Sequence, residues 1–529
     1  MPFSSNSGKS YIASIIQRLP DSIKQKPVFD IGAGSGTYSL LFKNTLKGSW
    51  SAVEVWLRYI HEYNLADKYD YVYDEDARDS RCFDGKEYGV TFLGDVLEHM
   101  TAEEALTLFS KACQASDVVI VSIPIGYYPQ DAYEGNPYEV HQTDNWSEES
   151  FLNLFGEANH SIIDNEIGVF VYTKDPEIIG RPKIAVYAIS KNEEKFVERF
   201  CESANDADYI VIADTGSTDN TVELALKYTH HVYPISIQPW RFDNARNASL
   251  ALVPADADVC ICLDLDEVLE KGWRKELERV WQLGITTRLS YKFDWGSGVV
   301  FFSDKIHARK GYAWKHPCHE LLYPSGNEIW ERTEFQLITH YPDNTKSRGS
   351  YLELLAVGYK EDPTCTRNTF YYGRELIFRE KWDEAVSVLS SFLDLKGWFV
   401  ERAYAMRLLG KANRALGNLD LAESWYIRAI AEDKTQREPL CDLSEFYYFT
   451  QQWIRCKFYA LEALKITQRQ LLYTVDPDAW GYKPYDLLAL SEYYLGNYQD
   501  AVTYGQRAVE LAPIQRLQDN LDFYIGATK

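Results

Sequence analysis

The chain has 529 residues, too many for one hydrophobic core, and its length points to three or four domains. Apolar residues make up 46% and charged residues 25%, which excludes a largely disordered chain. Acidic residues outnumber basic ones by 78 to 55, a net charge of −23, so strong nucleic-acid binding is not expected. The nine cysteines are scattered without a CxxC pair, which fits reduced thiols in a cytoplasmic protein rather than a disulfide framework or a zinc site. The opening MPFSSNSGKSY lacks the apolar stretch of a secretory signal. Apolar runs such as Val118–Ile125 reach only strand length, so no transmembrane segment is expected.

From about residue 10 to 175, short apolar strands alternate with amphipathic helices. Val28–Ile31, Ser51–Val55, Val90–Leu93 and Val118–Ile123 read as strands, which predicts a mainly parallel sheet with helices on both faces. Lys174–Pro182 (KDPEIIGRP) reads as a linker. A second alternating segment begins at Lys183, with strands expected at Ile184–Ile189, Tyr209–Ala213 and Val259–Leu263. From Thr287 to Tyr341 the pattern changes to short β-like runs rich in aromatic residues. Beyond about Ser350 the chain turns helical. Trp382, Leu419, Trp453 and Tyr498 open similar motifs spaced roughly 34–45 residues apart, close to the period of a tetratricopeptide repeat. Four helix pairs are predicted, with an insertion around Thr474–Pro484. Domain boundaries are expected at 1–175, 183–345 and 350–529.

The first chemistry lies in Val28–Gly36, VFDIGAGSG. An apolar strand runs into Asp30, and Gly32, Gly34 and Gly36 follow at every second position, letting the backbone turn sharply and approach a ligand. Glu54 closes the next strand, where a carboxylate can accept hydrogen bonds from ribose hydroxyls. With Asp76 in DEDAR and Asp95 in GDVLEHM, residues 10–175 resemble the class I S-adenosylmethionine-dependent methyltransferases. The resemblance implies a Rossmann-like α/β fold, the glycine loop against the methionine part of S-adenosyl-L-methionine, Glu54 on the ribose and Asp76 near the adenine. Asp30 and Asp95 count with this cofactor-binding set. His141, in YEVHQTDNW, is the candidate base for a methyl-acceptor hydroxyl, because imidazole titrates near neutrality; His99 reads as a structural residue.

The second chemistry lies in Val259–Glu267, VCICLDLDE. Asp264 and Asp266 end a buried strand on the same side of an extended chain and are suited to grip a hard divalent cation that bridges two phosphates. Three further motifs accompany them: ISKNEE (Ile189–Glu194), IADTGSTDNT (Ile212–Thr221) and WRFDNARN (Trp240–Asn247). In this order they resemble a family 2 glycosyltransferase of the GT-A fold. That resemblance implies Asn192, Glu193 and Asp214 around the nucleoside, Arg246 near the diphosphate, and Asp264 and Asp266 on Mn²⁺ or Mg²⁺. In WKHPCHELL (Trp314–Leu322), which resembles a His-Glu segment of relatives with a helical tail, His319 is a candidate third metal ligand or phosphate contact and Glu320 the candidate base of an inverting transfer.

The segment beginning YPDNTKSR at Tyr341 resembles that family's entry into a helical tail, which implies an acceptor-binding surface or homo-oligomer interface. The combined expectation is a bifunctional enzyme. It would use a nucleotide-diphosphate sugar and S-adenosyl-L-methionine to build a methylated glycan on a glycan, glycopeptide or protein acceptor. The alternatives are a repeat scaffold with inactive domains and a glycosyltransferase acting on modified nucleic-acid bases.

Overall fold

The computed structural model describes residues 4–79, 81–343 and 349–528; residues 344–348 of YPDNTKSR lie outside the described residues. The chain divides into two compact units. One runs to Pro182 and includes Trp281–Thr287; the other comprises Lys183–Val280 and the chain from Arg288 onward.

In the first unit the strands are β1 (Val28–Ile31), β2 (Trp50–Val53), β3 (Tyr71–Tyr73), β4 (Tyr88–Gly94), β5 (Ser116–Pro124), β6 (Gly126–Tyr127), β7 (Asn145–Trp146), β8 (His160–Asp164) and β9 (Ile167–Thr173). Strands β6 and β7 form a ribbon of their own, and the others form a sheet in the order β3-β2-β1-β4-β5-β9-β8. Strands β1 to β5 are parallel, and β9 runs antiparallel to both β5 and β8. The connections reverse direction between β1 and β4, so a crevice opens at the carboxyl ends of these two strands.

Side-chain parity divides the core of this unit into two layers. Val28, Val90, Phe92, Val118 and Ile120 face one apolar cluster, built with Ile12, Ile15, Trp50 and Tyr69. Their neighbours Phe29, Ile31, Leu93, Val119 and Val121 face the other, with Phe109 and Phe151. Both faces are covered by helices, as the continuous apolar strands require.

In the second unit the strands are β10 (Ile184–Ser190), β11 (Tyr209–Asp214), β12 (Val232–Pro234), β13 (Val259–Cys262), β14 (Glu267–Leu269), β15 (Arg288–Gly296), β16 (Val299–Ala308), β17 (Tyr312–Lys315), β18 (Leu321–Pro324) and β19 (Trp330–His340). Eight of them form one mixed sheet, β12-β11-β10-β13-β16-β15-β19-β14, and β17 pairs with β18 as a separate hairpin. The aromatic-rich stretch thus forms longer strands than its broken pattern suggests. Only Leu263–Asp266 separates β13 from β14, although β14 lies four places further along the sheet. Four flat strand intervals span about 19 Å, and five extended residue steps reach about 18 Å. A turn in that short link therefore requires the sheet to curl.

The tail of this unit contains helix pairs 366–378/382–394, 399–415/419–432, 438–449/453–465 and 483–494/498–511, flanked by helices Tyr351–Glu361 and Gln515–Ala527. Trp382, Leu419, Trp453 and Tyr498 each begin the second helix of a pair. The insertion contributes one short helix, Pro477–Trp480. Among the described residues no helix is long and apolar enough to cross a membrane, and seven of the nine cysteines are buried thiols.

Glycine allows close helix contact in the tail. A Cβ on Gly410 would meet the buried Tyr426 ring at 2.6–2.8 Å, whereas one on Gly526 would meet nothing within 4 Å. Overpacking costs about 1–3 kcal/mol, more than the roughly 1 kcal/mol that alanine gains over glycine in a helix. Gly410→Ala is therefore expected to lower the melting temperature of the tail and Gly526→Ala to raise it slightly. Shifts of the same sign in both would contradict this packing.

Candidate active sites

The first site occupies the crevice of the first unit, a cleft of about 880 Å³ counting the space open to solvent. Gly32, Gly34, Glu54, Asp76 and Asp95 line it, together with Tyr38, Tyr59, Arg78, Met100 and Tyr138. Gly32 has φ +66°, and a Cβ there would strike Val96 at 2.5 Å, so only glycine fits the turn. Glu54 accepts hydrogen bonds from the Gly34 and Trp56 amides, both at 2.9 Å. Two bonds use half of a carboxylate's acceptor capacity and leave one lone pair on each oxygen for a diol. Burial holds the Glu54 carboxyl above its ordinary range, partly offset by those amides. Asp76 is paired with Arg78 at 2.6 Å, and the Arg78 hydrogen bond lowers its pKa. Asp95 adopts φ +56° and accepts from the Ser4 hydroxyl.

Three expected residues lie elsewhere. Asp30 shares strand parity with Val28, so its carboxylate lies under the sheet, 1% exposed, and accepts a 2.5 Å hydrogen bond from Tyr69. Burial, set against the Tyr69 hydroxyl and Lys9, pushes its carboxyl up to about 7. Gly36 starts the helix Thr37–Phe42 and faces Lys68. His141 does not line the cleft but packs edge-on against His99, which does, with ring centroids 4.8 Å apart. Burial, and then the neighbouring His141, pushes His99 down to about 4.

The second site is built at the ends of β10, β11 and β13. Asp214 accepts four hydrogen bonds, from the Ser190 and Ser217 hydroxyls and the Gly216 and Ser217 amides, which fill its acceptor capacity. Burial alone would raise its pKa, but these bonds outweigh burial and lower it. Asn192, at φ +57°, accepts from the Thr218 amide at 2.8 Å, and the Glu193 amide donates to the Thr221 hydroxyl at 2.7 Å. The ISKNEE and DTGSTDNT motifs therefore interlock, and Asp214 and Asn192 spend their side chains on that lock.

Arg246, on the helix Phe242–Leu252, is buried at the centre of the site. Its Nε donates to Glu320, its Nη2 to Asp264 at 2.7 Å and its Nη1 to the Cys262 sulfur at 3.2 Å. Asp264 is 40% exposed at its side chain and has a second cation, Lys305, at 3.6 Å. Lys305 also holds the buried Glu267 at 2.9 Å. Burial acts to lower the Lys305 pKa, but Glu267 and Asp264 outweigh it and keep the ammonium charged. Asp266 faces His340 at 3.6 Å. The two aspartates thus take different partners instead of projecting together from an extended strand, because the chain turns at Leu265.

His319 is directed to the tail. Its ring stacks on Tyr371 at 4.0 Å, its Nε2 is 3.3 Å from an Arg374 nitrogen, and its carbonyl accepts from Arg367 at 2.7 Å. Among the described residues, Asp264, Asp266 and His319 do not form a compact three-donor group. Two residues of the loop between β17 and β18, His316 and His319, have positive φ, and Cys318 sits in the apolar cluster of the first tail helices. The tail therefore braces the loop that carries Glu320. Sequence reasoning gave no role to Lys305, Arg367 or Arg374, because their partners lie far away along the chain.

Residues 186–284 match the family described as Glycosyl transferase family 2. The lipopolysaccharide core biosynthesis glycosyltransferase LpsC of Rhizobium meliloti (strain 1021) is 33% identical over 167 residues, which cover 28% of this chain and 60% of that protein. Two solved structures resemble the chain over limited stretches. MamA is 19% identical over 30% of this chain and 85% of its own, with TM-score 0.26. YrrB, described as a TPR protein with an unusual peptide-binding site, is 14% identical over 31% and 78%, with TM-score 0.25.

A carboxyl raised in the folded state takes up a proton on folding. The stability it contributes is full below the unfolded carboxylate range near about 4 and is lost as pH rises through about 7. Asp30→Asn keeps an acceptor for Tyr69 without the charge. Its stability relative to the parent chain should be level below about pH 4, rise in favour of the variant up to about pH 7, and be level above. Denaturant titrations across that range measure it, and a pH-independent difference would disprove the buried ionisation.

Proposed function

We propose that the second unit transfers a sugar from a nucleotide-diphosphate donor to a glycan, and that the first unit transfers methyl from S-adenosyl-L-methionine to a hydroxyl. The observation that carries the sugar-transfer reading is the family match over residues 186–284, which contains Asp214, Arg246, Asp264 and Asp266. The name of the Rhizobium meliloti relative, a lipopolysaccharide core glycosyltransferase, favours a saccharide acceptor.

In this reading the interlocked loops at Asn192, Glu193 and Asp214 form the floor of the nucleoside pocket. Asp264, open to solvent, and Asp266 would hold Mn²⁺ or Mg²⁺, which when bound neutralises the diphosphate. Arg246 and Lys305 supply fixed positive charge to the departing phosphates in a low-dielectric setting. Glu320 removes the acceptor proton, and the Arg246 contact holds its carboxylate in place. His319 acts here as a brace for the Glu320 loop and not as a metal ligand.

For methyl transfer, the observation that carries the reading is Glu54, buried in the crevice with one lone pair left on each oxygen. Gly32 and Gly34 fit the methionine part of the cofactor, and Asp76 and Asp95 border the rest. The acceptor hydroxyl would lose its proton on the side formed by His99 and His141.

Titration calorimetry on the full chain tests both halves. S-adenosylhomocysteine should bind the parent chain, and Glu54→Ala should weaken it at least tenfold. One nucleoside diphosphate should bind with Mn²⁺ and fail to bind Asp264→Ala. Absence of nucleotide binding in the parent chain would overturn the sugar-transfer reading, and absence of S-adenosylhomocysteine binding the methyl-transfer reading. Because the tail braces Glu320, Arg374→Ala is expected to lower kcat by about tenfold while the donor KM stays unchanged; an altered donor KM with normal kcat would argue against bracing.

A further inference from the structure

In the first unit His99 and His141, placed above on the acceptor side, meet Glu98, a buried carboxylate that neither reading uses. Glu98 and His99 lie in the short helical turn Leu97–His99 that follows β4 and Asp95. The chain after β6 folds back onto this turn, where the amides of Gln142 and Thr143 both donate to the Glu98 carbonyl at 2.8 and 3.1 Å. That fold places His141 beside Glu98 and His99, and one ligand atom from each of the three lies within 4.8 Å of the other two.

The Glu98 carboxylate is 1% exposed, and its Oε2 is buried without a hydrogen-bond partner. An unmatched buried carboxylate oxygen is costly and calls for a cation or a donor. Both imidazoles have their Nδ1 facing a backbone carbonyl: His141 toward Tyr128 at 2.6 Å and His99 toward Val140 at 3.4 Å. Such bonds put the ring proton on Nδ1 and leave the lone pair on Nε2, as an outer hydrogen bond does for a ligating histidine.

We propose that Glu98, His99 and His141 form a binding site for one divalent transition-metal ion at the wall of the cleft. Two imidazoles and one carboxylate favour Zn²⁺, Mn²⁺ or Fe²⁺ over Mg²⁺ or Ca²⁺, whose preferred shells are all oxygen. Metal–ligand bonds of about 2.1 Å in tetrahedral geometry require the three atoms to close by up to about 1.4 Å. Three protein ligands leave coordination positions open, and His99 already lines the cleft, so the ion would face whatever oxygen-bearing acceptor enters. Binding of the ion is independent of the methyl-transfer reading; only its use on an acceptor rests on that reading.

The test uses Co²⁺ on the full chain, which reports histidine ligation by its visible absorption. After dialysis the parent chain should retain one equivalent with that absorption. His141→Ala, a change at a half-buried loop position, and Glu98→Gln should each bind at least about tenfold more weakly. The doubly substituted Asp264→Ala, Asp266→Ala chain should keep the full absorption, which separates this site from the acidic turn of the second unit. Equal Co²⁺ affinity and spectrum in the parent chain and His141→Ala, or no histidine-type absorption in the parent chain, would overturn the proposal. Neither result would bear on S-adenosylhomocysteine binding, so the two readings fail separately.

Discussion

The second unit depends on one buried cation. Arg246 ties the turn after β13, through Asp264, to the β17–β18 loop, through Glu320. Removing a guanidinium from water costs several kcal/mol, repaid only when its partners are well placed. Loss of both partners would leave an uncompensated buried charge, worth about 3–5 kcal/mol. The two carboxylates therefore have little freedom to drift apart while the helix Phe242–Leu252 stays packed. Lys305 repeats the device on the other side of Asp264, joining it to Glu267. Position and charge at this site come from the same contacts.

The helical tail adds a second constraint on Glu320. The loop from His316 to Glu320 holds two non-glycine residues at positive φ, a conformation that costs of order 1–3 kcal/mol each. Stacking of His319 on Tyr371, the Arg367 and Arg374 contacts, and burial of Cys318 against the tail hold it there. Repeats of this kind are usually considered for the surface they present; here their first helices also shape the neighbouring domain.

Much of the scaffold was legible in the sequence because it is written in local patterns. Apolar runs of four to nine residues gave the strands, positive-φ glycines the turn at Gly32, and the Trp382, Leu419, Trp453 and Tyr498 motifs the starts of paired helices. The parts that escaped depend on which way a side chain points or on distant segments meeting. Asp30 sits next to the glycine loop yet shares its parity with Val28, which takes it to the buried layer under the sheet. Asp264 and Asp266 are two residues apart, but the turn at Leu265 gives them different partners. Lys305 and Arg374 belong to no motif, and although GDVLEHM and YEVHQTDNW hold Glu98, His99 and His141, only the fold brings these residues to their neighbours.

The four-residue link between β13 and β14 has a temporal consequence. Among the described residues strand β14 pairs only with β19, which ends at His340. During synthesis the acidic turn therefore waits some seventy residues for the strand that fixes its far end, and Glu320 arrives in the same interval. The interlocked loops near Asp214, by contrast, close as soon as residue 221 has emerged. Assembly from the amino end thus closes the interlocked loops first, and the charged half of the site last.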